Sequence, residues 1–399
     1  MNKLKLIILL LFSLISVGCS PIFLKEDQPI ILDNSTGLSE NQTLIQGEKY
    51  EEDQFIINKI NSNFAEGLLY DISDDGELLL IKIPTNTISG DLKSPENYSN
   101  LYTYNVKNQQ QKQILTSSKE QSYAVFEKAN KGILYVEYSK DSNEQIIPNS
   151  YKLNWTDYEG SQTKRISSSD ESVSQKFSLI DNNLIVYGNS NGQIHLVKTK
   201  DIVRATIPRE TYTLNKKLNI YKINYVPEYK LAFFLATNPA TNVMDLYYVL
   251  LDEKNVEPVL MQDNVTDFTL SNRDKSVLYS VGTKSQTQLV NVDLYYNKNI
   301  IYEGPLAGFS YSPDQSHIVY REKIDDSSNN QNLWIMNADG SNSTQLASNL
   351  KICSDRVIFS PDMHSVYFSV LSLKESSEKN NESILKHNLY SIDYSYTKK

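Results

Sequence analysis

The chain reads as all-β: a seven-bladed β-propeller of four-stranded antiparallel blades, its ring closed by an N-terminal strand. Three observations lead there. A strand-turn-strand unit, Phe309-Ser310-Tyr311-Ser312-Pro313-Asp314 followed by His317-Ile318-Val319-Tyr320, recurs as Val357-Ile358-Phe359-Ser360-Pro361-Asp362 followed by Ser365-Val366-Tyr367-Phe368. The same register, a turn position and a strand residue eight later, recurs at Ser73, Glu127, Leu179, Tyr225, Ser271, Ser312 and Ser360, at intervals of 41 to 54 residues. That is about the 40–50-residue period of a propeller blade. Finally, the last unit has only Tyr394 to Lys399 left after its third strand, while an unassigned strand-like run, Phe55 to Ile60, precedes the first unit.

Each element has a local cause. In the turn, Pro restricts φ, and Ser and Asp can bond the turn's own backbone, while β-branched and aromatic neighbours favour strands. Third strands are expected at Leu101 to Val106, Gln193 to Val197, Leu246 to Leu250, Gln288 to Val292, Leu333 to Met336 and Leu389 to Asp393. Fourth strands follow at Lys112 to Leu115 and Thr344 to Leu346. An open ring would leave unpaired strand edges, so Phe55 to Ile60 is assigned as the outer strand of the final blade. The turns weaken between about 175 and 300, which keeps six and eight blades as alternatives.

Leu333-Trp334-Ile335-Met336-Asn337-Ala338-Asp339-Gly340, ending in Gln345-Leu346, resembles the TolB-like, WD-like propeller repeat. The Ser-Pro-Asp turns of the last two units agree with it, as do Ser73-Asp74-Asp75-Gly76 and Asp157-Tyr158-Glu159-Gly160. The resemblance implies a ring used for binding and has no catalytic residues to carry over.

The first residues carry a different signal. Lys3 and Lys5 precede an apolar stretch, Leu6 to Val17, of signal-peptide length and too short to span a bilayer as a helix. It ends Ser16-Val17-Gly18-Cys19, which resembles the bacterial lipobox, whose Cys receives diacylglycerol. Residues 1–18 are therefore expected to be a lipoprotein signal peptide and Cys19 the lipid attachment site. Residues 19–53 are polar and aperiodic and read as a flexible tether, with the propeller over 54–399. The expected location is the extracytoplasmic side of a bacterial cell membrane, lipid-anchored.

Composition narrows the partners. A formal charge of −9, with 39 Lys and Arg scattered among 48 Asp and Glu, argues against nucleic acid. With Cys19 lipidated, Cys353 is the remaining thiol, so no intrachain disulfide is expected. The four histidines sit at no metal-ligand spacing, and neither a metal nor another cofactor is expected.

Two motifs have bland readings. Gly188-Asn189-Ser190-Asn191-Gly192 matches a nucleophile elbow, but that motif needs a strand-to-helix turn and here a strand flanks it on both sides, so it reads as a hairpin loop. Asp71, Ser73, Asp75 and Gly76 imitate a calcium loop, but Lys82 stands where a bidentate Glu is required. No acid, base or nucleophile can be specified. The chain is accordingly read as a binding scaffold, not an enzyme. The alternative is a glycan-acting or peptide-cleaving hydrolase with its site at the mouth of the central channel.

Alternating strand direction puts the loops between second and third strands on the same face as the links between blades. The loops at about 84 to 100, 139 to 150, 322 to 331 and 371 to 387 are long, and those at 188 to 192, 237 to 243 and 281 to 287 are short. The long ones belong to units one, two, six and seven, which are neighbours in a closed ring. Asp91, Lys93, Tyr98, Asp325, Asp326, Lys374 and Glu375 are therefore expected on a partner-binding arc, facing a protein or cell-wall component.

Overall fold

The computed structural model describes residues 54–85, 98–117, 119–143, 145–237, 243–283, 286–293, 295–325, 329–374 and 384–397. They form seven sheets arranged as the blades of a propeller, each built on four antiparallel strands. Counting strands outward from the axis, blade 1 starts at Leu68–Ile72, blade 2 at Glu120–Glu127, blade 3 at Ser178–Ile180 and blade 4 at Asn219–Val226. Blades 5, 6 and 7 start at Val265–Ser271, Leu306–Tyr311 and Ile358–Phe359. The outer strand of blade 7 is Gln54–Asn61, which pairs antiparallel with Ile384–Thr397 from Gln54 opposite Thr397 to Asn61 opposite Ser391. The first and last described strands thus close one sheet, as the missing fourth strand required. Blade 3 gains a fifth strand, Asn255–Val256, paired in parallel with Glu210–Leu214 and contributed by the chain of blade 4. It covers an edge that would otherwise be open.

The turns explain the repeat. In blade 6, Ser312 Oγ donates to Asp314 Oδ1 (2.7 Å), the same carboxyl oxygen accepts the Ser316 amide (3.0 Å), and the His317 amide donates back to Ser312 Oγ (3.0 Å). Blade 7 repeats this with Ser360, Asp362 and Ser365, and blade 1 with Ser73, Asp75 and Leu78. The Ser and Asp side chains satisfy the turn's own amides, so the hairpin closes with few backbone groups left for water. Blade 4 differs slightly from the sequence reading: its turn begins at Val226, which pairs with Leu231, one residue after Tyr225.

The core is divided into layers between blades. Second strands are buried on both faces, so they read as continuous apolar runs rather than alternating ones. Leu79 and Ile81 face the layer shared with Tyr367 and Leu389 of blade 7, whereas Leu80 between them faces Ala124, Phe126 and Ile133 of blade 2. All three are fully buried, and truncating any one to Ala costs about 2–5 kcal/mol. Each layer needs both neighbouring blades, which makes stability a property of the closed ring. Tyr104, Tyr247 and Trp155 are buried in these layers, as strand-packing residues.

Candidate functional site

The axis of the ring encloses a cavity of about 600 Å³ lined by residues of the innermost strands. A recurring β-bulge shapes it. The register slips by one residue between Gln121 and Tyr123, Ile220 and Lys222, Val265 and Asp267, and Leu306 and Gly308. A bulge re-aims the side chain that follows it, and here it turns Tyr123, Lys222 and Asp267 toward the axis in strands whose other residues serve the core. Blade 1 has the bulge two residues nearer its turn, before Asp71.

In blade 6 the corresponding position is Gly308, and a Cβ there would lie 2.3 Å from Arg321 Nη2. The missing side chain makes room for the guanidinium, which donates to the backbone carbonyls of Ser354 (2.8 Å), Asp355 (2.9 Å) and Ala307 (3.3 Å). Arg321 thus fixes the lead-in to blade 7, which carries Asp355 and Arg356 into the cavity.

The charges there are paired. Lys222 Nζ lies 2.6 Å from Asp267 Oδ1 and donates to the Phe268 carbonyl, and Lys176 Nζ lies 3.2 Å from Asp355 Oδ2. Arg356 donates to the Tyr70 carbonyl (2.9 Å), sits 5.2 Å from the ring centre of Tyr123, and approaches Asp71 at 3.9 Å. Burial pushes the Asp71 carboxyl up, against the pull of Arg356 and of the Phe126 amide that it accepts. Burial acts on Asp267 the same way, but Lys222 and Lys176 outweigh it and hold that carboxyl down. The arrangement suits a polar ligand that exchanges one ion-pair partner for its own charged group. No histidine is among the described residues lining this cavity.

The Gly188–Gly192 segment is a hairpin loop. The Asn189 amide donates to the Gln193 carbonyl and the Ser190 amide to the Ser172 carbonyl. Both ring nitrogens of His195 are engaged by other residues: its Nε2 lies 3.1 Å from Glu171 Oε2 and 3.2 Å from Asn189 Nδ2, and its Nδ1 2.9 Å from Thr211 Oγ1. Glu171 also accepts from Arg209 Nη1 (2.7 Å) and the Ser168 amide, which makes a buried, mutually satisfied charge network. Asp71 and Asp75 likewise diverge, one to the axial cavity and the other into its turn. Among the described residues no group of three or more His, Cys, Asp or Glu could hold a metal ion.

Strand direction puts the ends of the second strands beside the links between blades. Ser190, in the loop of blade 3, bonds Ser172 in the link from blade 2, and the Lys323 amide at the end of blade 6's second strand bonds Pro305 in the preceding link. Of the predicted arc, Tyr98 begins the third strand of blade 1, Lys374 ends the second strand of blade 7, and Asp325 begins the loop of blade 6. These blades are consecutive in the ring. Asp91, Lys93, Asp326, Glu375 and Cys19 lie outside the described residues.

The loop of blade 2, none of whose residues the sequence reading names, is braced from within. Asp141 Oδ1 accepts the amides of Asn143 (2.8 Å) and Gln145 (2.9 Å), and the Ser139 amide donates to Ser150 Oγ (3.1 Å). Lys140 at its base pairs with Glu120, which also pairs with Lys82. On its returning arm, opposite Lys140 and Ser139, Ile146 and Ile147 are 47% and 41% exposed. The adjacent isoleucines in a polar loop were the available sequence signal.

Comparison with solved structures agrees with this geometry at the level of fold. An oligogalacturonate lyase from Vibrio parahaemolyticus is 14% identical, with a TM-score of 0.55, over 86% of this chain and 98% of that one. An oligogalacturonate lyase in complex with manganese is 10% identical, with a TM-score of 0.56, over the same shares. TolB from Acinetobacter baumannii is 18% identical over 69% of this chain and 65% of that one, with a TM-score of 0.42. No family model matches the chain, and no curated protein does. The class defined by these findings is the seven-bladed β-propeller.

Proposed function

We propose that this protein is a lipid-anchored, extracytoplasmic binding scaffold that engages a protein or cell-wall partner through the long-loop arc of blades 6, 7, 1 and 2. The observation that carries the reading is the loop over 139–150. A tolerated insertion has no need of internal bracing, whereas in this one Asp141, Ser150 and the Lys140–Glu120 pair hold two exposed isoleucines in place on the returning arm. Ordered loops presenting apolar side chains on a rigid ring are the usual form of a protein-binding face. Ile324 of blade 6 is exposed on the same face.

The anchor is supported by the apolar stretch ending at Gly18-Cys19. Two acyl chains bind a membrane stably where one is marginal. Replacing Cys19 with Ala should release the protein without detergent, and a variant still tightly membrane-bound would refute the anchor. For the arc, Ile146→Asp with Ile147→Asp, and separately Gly-Ser replacement of 88 to 98 and 373 to 385, should leave melting unchanged and abolish crosslinking to the native partner. Full crosslinking by both variants would overturn the assignment.

A further inference from the structure

On the face opposite the links, the turns of blades 5, 6 and 7 surround a second hollow of about 730 Å³. Its walls carry the carboxylates of Asp274, Asp314, Asp339 and Asp362, all exposed, beside the guanidinium of Arg273 and the imidazoles of His317 and His364. Its floor comes from the ring closure. Tyr394 and Tyr396 of the last strand line it, and Phe55 of the N-terminal strand packs beneath them, 6.1 Å and 4.8 Å from their ring centres. Tyr394 is 2% exposed and its hydroxyl has no hydrogen-bond partner. A buried hydroxyl left unpaired costs about 1–3 kcal/mol, and the charges of Asp314 and Asp362 in the walls of the hollow act on this one.

We infer that this hollow binds an alkylammonium chain, with Asp314 and Asp362 pairing with its charges and Tyr394 Oη accepting an N–H. Carboxylate walls select a cation, an aromatic floor favours organic ammonium over a hydrated metal ion, and the orphan hydroxyl supplies a fixed acceptor. Asp314 and Asp362 stay ionised: hydrogen bonds from Ser316 and Ser312 overcome the effect of burial at Asp314, and the Ser360 hydroxyl holds Asp362 down. Such a chain can come from a free polyamine or from lysine side chains of a peptide. The site is independent of the anchor and lies on the other face from the proposed arc.

The test is titration calorimetry on the full-length chain in detergent, with spermidine in one arm and acetyl-Lys-Lys-Lys-amide in the other. Binding in either arm that weakens with added NaCl, and at least fivefold in both Tyr394→Phe and the double variant Asp314→Asn/Asp362→Asn, upholds the site and tells which source it prefers. Tyr394→Phe removes a hydroxyl that bonds nothing, so its melting should not fall. Asp252→Asn, an exposed carboxylate on blade 4, should leave binding unchanged. No binding in either arm, unaltered binding in the Tyr394 or aspartate variants, or equal weakening by Asp252→Asn would overturn the inference.

Discussion

Lys176, in the lead-in to blade 3, and Asp355, in the lead-in to blade 7, meet across the axis of the ring with Nζ and Oδ2 3.2 Å apart. The pair joins opposite sides of the propeller without any strand between them. Lys176 is also held locally, since its amide donates to the Tyr221 carbonyl and its ammonium lies 6.0 Å from the Tyr221 ring centre. The side chain of Asp355 is 58% exposed, so solvent screens much of the attraction. A double-mutant cycle with Lys176→Met and Asp355→Asn should give a coupling of about 0.5–1 kcal/mol that shrinks with salt. A zero coupling at low salt would show that the two charges act independently.

Gly308→Ala tests how Asp355 is positioned. The new methyl group must displace the Arg321 guanidinium, which three backbone carbonyls hold in place. Destabilisation of about 1–3 kcal/mol is expected, as for overpacking at a site with no free volume. Chemical denaturation measures it, and a neutral effect would mean that the guanidinium can move freely.

The Glu171 network should govern stability in acid. Burial raises the Glu171 carboxyl, but hydrogen bonding to His195 and to the Ser168 amide outweighs it and brings the pKa down from 4.5 to about 2. A carboxyl lowered in the folded state stabilises it above the unfolded pKa, and that contribution is lost as pH falls from about 4.5 through about 2. Its full size is on the order of 3 kcal/mol, and Glu171 is only 7% exposed, so screening is slight. Melting temperature against pH should fall across this window in the wild type. Glu171→Gln should melt lower at neutral pH and show a shallower acid slope; an unchanged slope would remove Glu171 from the account.

Ring closure gives the sharpest stability prediction. Phe55 is 3% exposed against His317, Tyr394 and Tyr396, so Phe55→Ala should cost about 3–5 kcal/mol. Removing Phe55 to Ile60 should expose the edge of Ile384–Thr397 and cause aggregation, whereas removing Ser20 to Asn41 should not. Light scattering on the two truncations, side by side, decides the matter, and equal behaviour would contradict the closing role.

Cys353 should be chemically quiet. Burial raises its thiol to about 12, so little thiolate exists near neutrality. Alkylation at pH 8 should be far slower in the native protein than in urea, and equal rates would place the thiol at the surface.

Much of this molecule was decided by local chemistry. Ser and Asp at fixed offsets close a hairpin with their own side chains, as at Ser312 and Asp314, so the blade repeat was legible as a spacing along the chain, while the weaker turns between about 175 and 300 left six and eight blades open until the sheets were seen to number seven. The closing strand was legible too, because a missing fourth strand at one end and a spare strand at the other leave one solution. The axial site was not. Whether Lys222 or Asp267 faces the axis depends on a one-residue bulge, and a bulge follows from how two strands pair, not from either strand's composition. Nor could spacing reveal that Lys176 meets Asp355, that Gly308 exists to admit Arg321, or that Phe55 floors a hollow walled by the turns of other blades. Those relationships arise only when the ring closes, because closure brings side chains distant in sequence into a space that no single blade encloses.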